Sequence, residues 1–218
     1  MALAVQATAT NNANPAVSLT TALDVGTATN RVLVVGAWGN GAITATTGVQ
    51  YAGVNCTERT TVSPNNVTNS EIWSLDDPTT GSNNIVVAQN ASASIGYGAV
   101  AFNDAGTVDA TSMVDTTFAS QDDPTISITT DQSGSALVDN IEHTSATLTG
   151  PGTGQTQVQN VASGEGWNHG VSYEIVGAAG AYTQSWTTSA AAACDYSVVE
   201  VTEDIAAGVA NHWLLMGV

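Results

Sequence analysis

Short runs of apolar and β-branched residues recur along the whole chain, separated by clusters of Gly, Asn, Asp and Pro. This spacing predicts many short strands of a sandwich or barrel. The clearest lie at 31–38 (RVLVVGAW), 58–62, 70–75 (SEIWSL), 84–88 (NIVVA) and 96–102 (GYGAVAF). Others follow at 125–129, 135–140 (SALVDN), 155–161, 170–176 (GVSYEIV), 182–187 and 196–202 (YSVVEVT). About a dozen strand candidates emerge. Turn residues able to take positive φ sit between them at 76–78, 81–84, 103–106 and 150–152. No segment has the 3.6-residue period of an amphipathic helix, and the alanines at 190–193 fall short of the roughly 12 residues that make an isolated helix even marginal.

The strand pattern repeats at a spacing of roughly 100 residues. Residues 70–102 have a degenerate echo in 170–201, with Trp73 falling on Tyr173 and Tyr97 close to Tyr196, and 31–36 align with 135–140. One domain over 1–218 is therefore expected, with pseudo-repeat halves at 30–103 and 134–202. The expected architecture is an all-β, two-sheet jelly-roll or Greek-key sandwich with internal pseudo-duplication.

Charge narrows the function. The net charge is −17 with only 10% charged residues, and the two cations are Arg31 and Arg59, with no lysine. Without a basic patch to displace counterions, nucleic acid is excluded as a partner, and anionic membrane surfaces are disfavoured. The surface must be covered mainly by Thr, Ser, Asn, Gln and Gly, a composition shared with acidic proteins of halophiles and with many virion and extracellular proteins. No apolar run approaches the ~20 residues of a membrane span. The N-terminal residues lack the basic region of a secretory signal, so the expected site of release is the cytoplasm where the chain is made; a virion component would assemble there without export, whereas a secreted adhesin or lectin would need a signal. Cys56 and Cys194 have no metal-ligand spacing and are expected as buried thiols, pairing only if the fold joins their strands.

The succession NRVLVVGAW, VQYAGVNCTERTTV, EIWSLDDPTTGSNNIVV and GYGAVAFNDA is similar to a loosely defined β-sandwich family of viral structural and microbial surface proteins. The likeness is carried by Asn30-Arg31 before an apolar strand, Tyr51-Ala52-Gly53 at a turn, Trp73 with Asp77-Pro78, and Gly81 with Ile85-Val86-Val87. Tyr51-Ala52-Gly53 departs from the double-glycine form of that turn. The resemblance spans about 30–102 and implies a display or attachment domain, such as a tailed-virus capsid decoration, turret or tail-associated protein. It brings no catalytic motif.

Nor do the residues themselves supply one. There is no nucleophile elbow, His-Glu-x-x-His or phosphate loop. Of the histidines His143, His169 and His212, the second stands in the best pocket candidate, where Glu165, Trp167, Asn168 and His169 could stack on and hydrogen-bond a sugar; a Gly-rich turn with a half-buried Trp is the plainer reading. Glu142 and His143 are strand neighbours and should point to opposite faces. Glu71 and Glu174 occupy pseudo-equivalent positions without the second carboxylate that glycoside hydrolysis needs. Asp76, Asp77, Asp122, Asp123 and Asp131 could offer oxygens to calcium, although capping their own turns is the expected role. Asn55, Asn66 and Asn90 begin glycosylation-type triplets of the kind a chain this rich in Asn, Ser and Thr contains by chance.

The sequence thus predicts a non-enzymatic virion surface protein without cofactor, catalytic or metal residues, partnered by other virion proteins and by copies of itself, with a host-surface glycan as a further candidate. The alternative is an extracellular carbohydrate-binding or adhesion module. The apolar C-terminal segment 212–218 would either close the sandwich or dock on a neighbouring subunit.

Overall fold

The computed structural model describes residues 2–39, 48–62, 69–162 and 166–204; the C-terminal segment 212–218, His212, Glu165 and the Asn66 triplet lie outside them. The first half contributes β1 (Ala4–Asp24), β2 (Arg31–Gly39), β3 (Val49–Tyr51), β4 (Val54–Asn55), β5 (Thr57–Val62), β6 (Asn69–Asp76) and β7 (Ser82–Asn103). The second contributes β8 (Ala105–Gln121), β9 (Thr125–Thr130), β10 (Ala136–Thr144), β11 (Leu148–Pro151), β12 (Thr156–Ala162), β13 (Trp167–Ile175), β14 (Gly180–Thr188) and β15 (Ala192–Glu203). The described residues contain no helix.

The first half builds a sheet in the order β1-β7-β2-β6-β5, with β3 and β4 added to the early part of β7. The second half builds a sheet in the order β8-β15-β10-β13-β12, and β9-β14-β11 form a third, separate sheet. All pairings are antiparallel. In the first half the runs expected at 84–88 and 96–102 are one strand, β7, whereas β14 and β15 remain separate.

Where a two-sheet sandwich is expected, three sheets enclose three apolar clusters. The cause is visible in β2 and β10, which carry large apolar side chains on both faces. Val32 and Val34 of β2 meet Ala136 and Val138 of β10 between the two large sheets, together with Ile72, Val100, Phe102, Val171, Val199 and Val201. Leu33 and Val35 point the other way, into a cluster closed by Leu19, Leu23, Val49, Tyr51, Ile85 and Val87. In the second half Leu137 and Ile141 likewise face outward, under Ile126, Ile128, Leu148 and Trp186. Each half is thus filled by its own cluster, and a third joins the halves. At the junction β5 approaches β8 while β12 approaches β1.

Close approach at the junction depends on Gly36 and Gly98, which face each other across β2 and β7. A Cβ on Gly36 would stand 2.9 Å from Val171 Cγ2, and one on Gly98 would stand 2.8 Å from Val171 Cβ. Asn140 then ties the sheets together by donating from Nδ2 to Ala37 O at 3.0 Å and Glu71 O at 3.1 Å. Gly98→Val should push the sheets apart and cost about 1–3 kcal/mol or more by overpacking. Urea unfolding measures this loss; an unchanged midpoint would mean the sheets are not held at this distance.

Candidate functional site

The described residues of the expected sugar pocket do not converge. Trp167, Asn168 and His169 begin β13, and strand alternation sends successive side chains to opposite faces. His169 turns toward the first-half sheet and is fully buried, its ring stacked on Trp38 with centroids 3.6 Å apart and planes 1° from parallel. Trp38 Nε1 donates to Gln159 Oε1 at 3.3 Å. Neither His169 nitrogen finds a hydrogen-bond partner among the described residues, and burial drives its pKa well below the usual histidine value, so the ring is neutral. Asn168 lies on the other face, in register with His143. Glu142 and His143 do face opposite ways: Glu142 sits between His169 and Asp195 in the ladder, and His143 between Asn168 and Cys194.

The other candidates are also separated. Glu71 of β6 accepts a hydrogen bond from Trp73 Nε1 at 2.8 Å, and burial raises its pKa to about 8. Glu174 belongs to the other large sheet and accepts from Gln184 Nε2 at 2.7 Å. Cys56 and Cys194 are free and buried, and desolvation pushes both thiols up to about 12. Asp76 pairs with Arg59 at 3.6 Å, and Asp122 and Asp123 hold the hydroxyl and amide of Thr188. No group of three His, Cys, Asp or Glu among the described residues is placed to hold a metal ion.

What the fold does assemble is a polar centre around Asp139, inside the second half's own cluster. Asp139 is fully buried on β10, and its carboxylate accepts five hydrogen bonds. Oδ1 receives the Ser172 amide at 3.0 Å, the Ser172 hydroxyl at 2.8 Å and Trp186 Nε1 at 3.3 Å. Oδ2 receives Gln155 Nε2 at 2.7 Å and the Tyr196 hydroxyl at 2.9 Å. Desolvation raises the Asp139 pKa to about 7, against the opposing pull of the bonds from Ser172, Tyr196 and Trp186. Burial and the neighbouring Asp139 charge push Tyr196 well above the ordinary phenol value, keeping it a donor.

Gln155 enters this centre from the turn before β12. Gly152 N donates to Ser185 O at 2.8 Å and Gln155 N to Gly152 O at 3.2 Å. Gly152 must lack a Cβ, which would stand 2.8 Å from Gln155 Oε1 and collide with Ser185 Oγ. The Ser185 amide donates to Gln155 Oε1 at 2.9 Å. That bond identifies the amide oxygen, since a backbone N–H requires an acceptor, and it turns Nε2 toward the carboxylate.

The corresponding place in the first half is apolar. Val35 of β2 pairs with Trp73 and Ala99 of the flanking strands, as Asp139 pairs with Ser172 and Val198. A sheet of the same strand order therefore closes with valine where the second half buries a carboxylate. A residue that breaks the local rule without being needed for packing marks a candidate for function. The expected alignment of 31–36 with 135–140 sets Val35 against Asp139, whereas the strand pairing puts Trp73 in the place of Ser172 and not of Tyr173; the Asp139 partners at 155, 172, 186 and 196 are too scattered to be seen in the sequence. No protein-family model, curated protein or solved structure matches the chain.

Proposed function

We propose that the chain is a structural module of a virion surface, a decoration, turret, spike or tail-associated protein that stabilises a shell or presents it to a host by associating with copies of itself. The observation that carries this reading is the β1 edge. This strand of 21 residues pairs only with β7 among the described residues, and Ala4–Leu23 contains no charged side chain in a chain of net charge −17. A long unpaired edge is a template for another strand unless it is blunted, usually by lysine, proline or inward charge. Pro15, register shifts at Val5/Ala7, Ala13/Ala16 and Ala16/Ser18, and the Gln159 amide that donates to Asn11 O at 3.3 Å interrupt it, but no charge does. Elsewhere copies repel one another, so the neutral strip is where a second copy could approach.

The same reading takes the halves as copies of one jelly-roll-like unit. Their large sheets share one strand order, and the approach of β5 to β8 together with β12 to β1 is what an approximate two-fold axis between like units would produce. A glycan-binding role has less support, because Trp167 is only half-exposed, Asn168 and His169 beside it are buried, and Trp38, Trp73 and Trp186 are buried too.

Light scattering of the purified chain at low and multimolar salt tests the assembly. Salt that shortens the screening length to about 3 Å should convert a monomer into a defined oligomer. A monomer at both salts would overturn the reading.

A further inference from the structure

We propose that Ser172 and Gln155 become joined by an intramolecular ester bond, formed by the folded chain itself with release of ammonia. The nucleophile, electrophile, proton carrier and oxyanion donor are all in place around Asp139. Ser172 Oγ lies 2.8 Å from Gln155 Nε2, and the amide carbon is one C–N bond, about 1.33 Å, beyond that nitrogen. Because Nε2 is the donor in this contact, the carbon stands roughly 3.3–4 Å from Oγ, and the carboxamide must turn its face to the hydroxyl and close by about 0.5–1 Å to reach the ~3 Å separation of a near-attack geometry.

The atoms balance without any co-reactant. Asp139 Oδ1, 2.8 Å from Ser172 Oγ, removes the hydroxyl proton as Oγ bonds to Gln155 Cδ. The electron pair of the carbonyl moves onto Oε1, which the Ser185 amide holds at 2.9 Å as a donor to the developing oxyanion. When the carbonyl re-forms, the C–N bond breaks, and the nitrogen leaves as ammonia with the proton the Asp139 carboxyl collected. Before the reaction that nitrogen is 2.7 Å from Asp139 Oδ2. Serine hydroxyl plus glutamine carboxamide gives ester plus ammonia, and Asp139 ends as it began.

Three features favour the reaction over a static hydrogen-bond centre. A carboxyl whose pKa is raised to about 7 by burial has both protonation states available near neutrality, as a group that first takes and then gives a proton requires. Ser172, Asp139, Trp186 and Tyr196 are all fully buried and Gln155 is half-buried, reaching in from the turn, so the nucleophile and the proton carrier are shielded from competing water. The first half closes over Val35 without any of this, so packing does not call for it. The bond would bridge positions 17 residues apart, tying the β11–β12 turn to β13 in a protein whose free thiols form no disulfide.

The test is the denatured intact mass of the full chain, followed by peptide mapping. The expected result is a mass lower than that of the sequence by one ammonia, with the peptide holding Gln155 joined to the one holding Ser172 and released by hydroxylamine. Ser172→Ala and Asp139→Asn should both return to their full sequence masses. Wild-type protein that keeps its full mass after prolonged incubation near neutral pH overturns the proposal, and this needs no variant to fold. An ammonia loss that persists in Ser172→Ala overturns it equally, since it would come from another source such as succinimide formation at Asn40-Gly41.

Discussion

Lowering the pH from about 8.5 to about 6.5 should stabilise this protein, because two buried carboxyls, those of Asp139 and Glu71, hold protons more tightly folded than unfolded. Asp139 moves from 3.8 to about 7 and Glu71 from 4.5 to about 8, desolvation being the main cause for both. Burial raises Asp195 in the same direction. A carboxyl with a raised folded pKa gives its full contribution below the unfolded value and loses it as pH climbs through the folded value. Stability therefore falls across the window from about pH 4 to pH 8, by on the order of 4 kcal/mol for each of the two groups.

His169 has the opposite sign. Burial holds its folded pKa well below 6.5, so the unfolded chain takes up a proton that the folded chain refuses, and stability is lost as pH falls below about 6.5. The melting temperature should climb from about pH 8.5 to a mildly acidic maximum and then flatten or decline. Glu71→Gln should remove a large part of the alkaline limb, and His169→Gln should extend the rise to lower pH. Scanning calorimetry across this range decides the matter; a melting temperature that increases from pH 6.5 to 8.5 would contradict the assigned protonation states.

The sequence makes the central strands legible and the edges obscure, for a physical reason. β2, β6, β7, β10, β13 and β15 lie inside the large sheets and need Val, Ile, Leu and aromatic side chains to fill the space they face. β1 and β8 are edges; after Val5, β1 shows the core only Ala7, Ala9, Ala13 and Ala16 before Leu19, so its alternation of Ala with Thr and Asn lacks the hydrophobic contrast that marks a strand. RVLVVGAW displays the double-sided burial that demands extra layers, but not which sheet covers each face. The 166–169 segment misleads in another way, since Gly166 and the polar residues after it suggest a loop, while the buried Trp38 that covers His169 lies far away in sequence.

Asp139→Val should cost at least about 3 kcal/mol, even though valine, Val35, stands on the strand at the same place in the order of the first half's sheet. Val35 is surrounded by Trp73, Ala99 and Ala37, which ask nothing of it but volume. Replacing the Asp139 carboxylate with an isopropyl group would leave the Ser172 hydroxyl, Trp186 Nε1 and Tyr196 hydroxyl without their acceptor, and Gln155 Nε2 with Ser172 Oγ alone, and each buried donor left unmade costs about 1–3 kcal/mol. The energy therefore belongs to the group and not to any one bond, and that has a measurable signature. Tyr196→Phe alone should cost about 1–2 kcal/mol by removing a donor to a charged acceptor. The same change in the Asp139→Val background should cost nothing or stabilise, because it deletes an orphaned hydroxyl. A double-mutant cycle by denaturant unfolding should give a coupling of about 1–3 kcal/mol. Because Tyr196 takes no part in the Ser172–Gln155 bond, this coupling stands whether or not that bond forms. Additive costs would mean that Asp139 does not organise the centre, and the contrast between Val35 and Asp139 would then be a difference in packing alone.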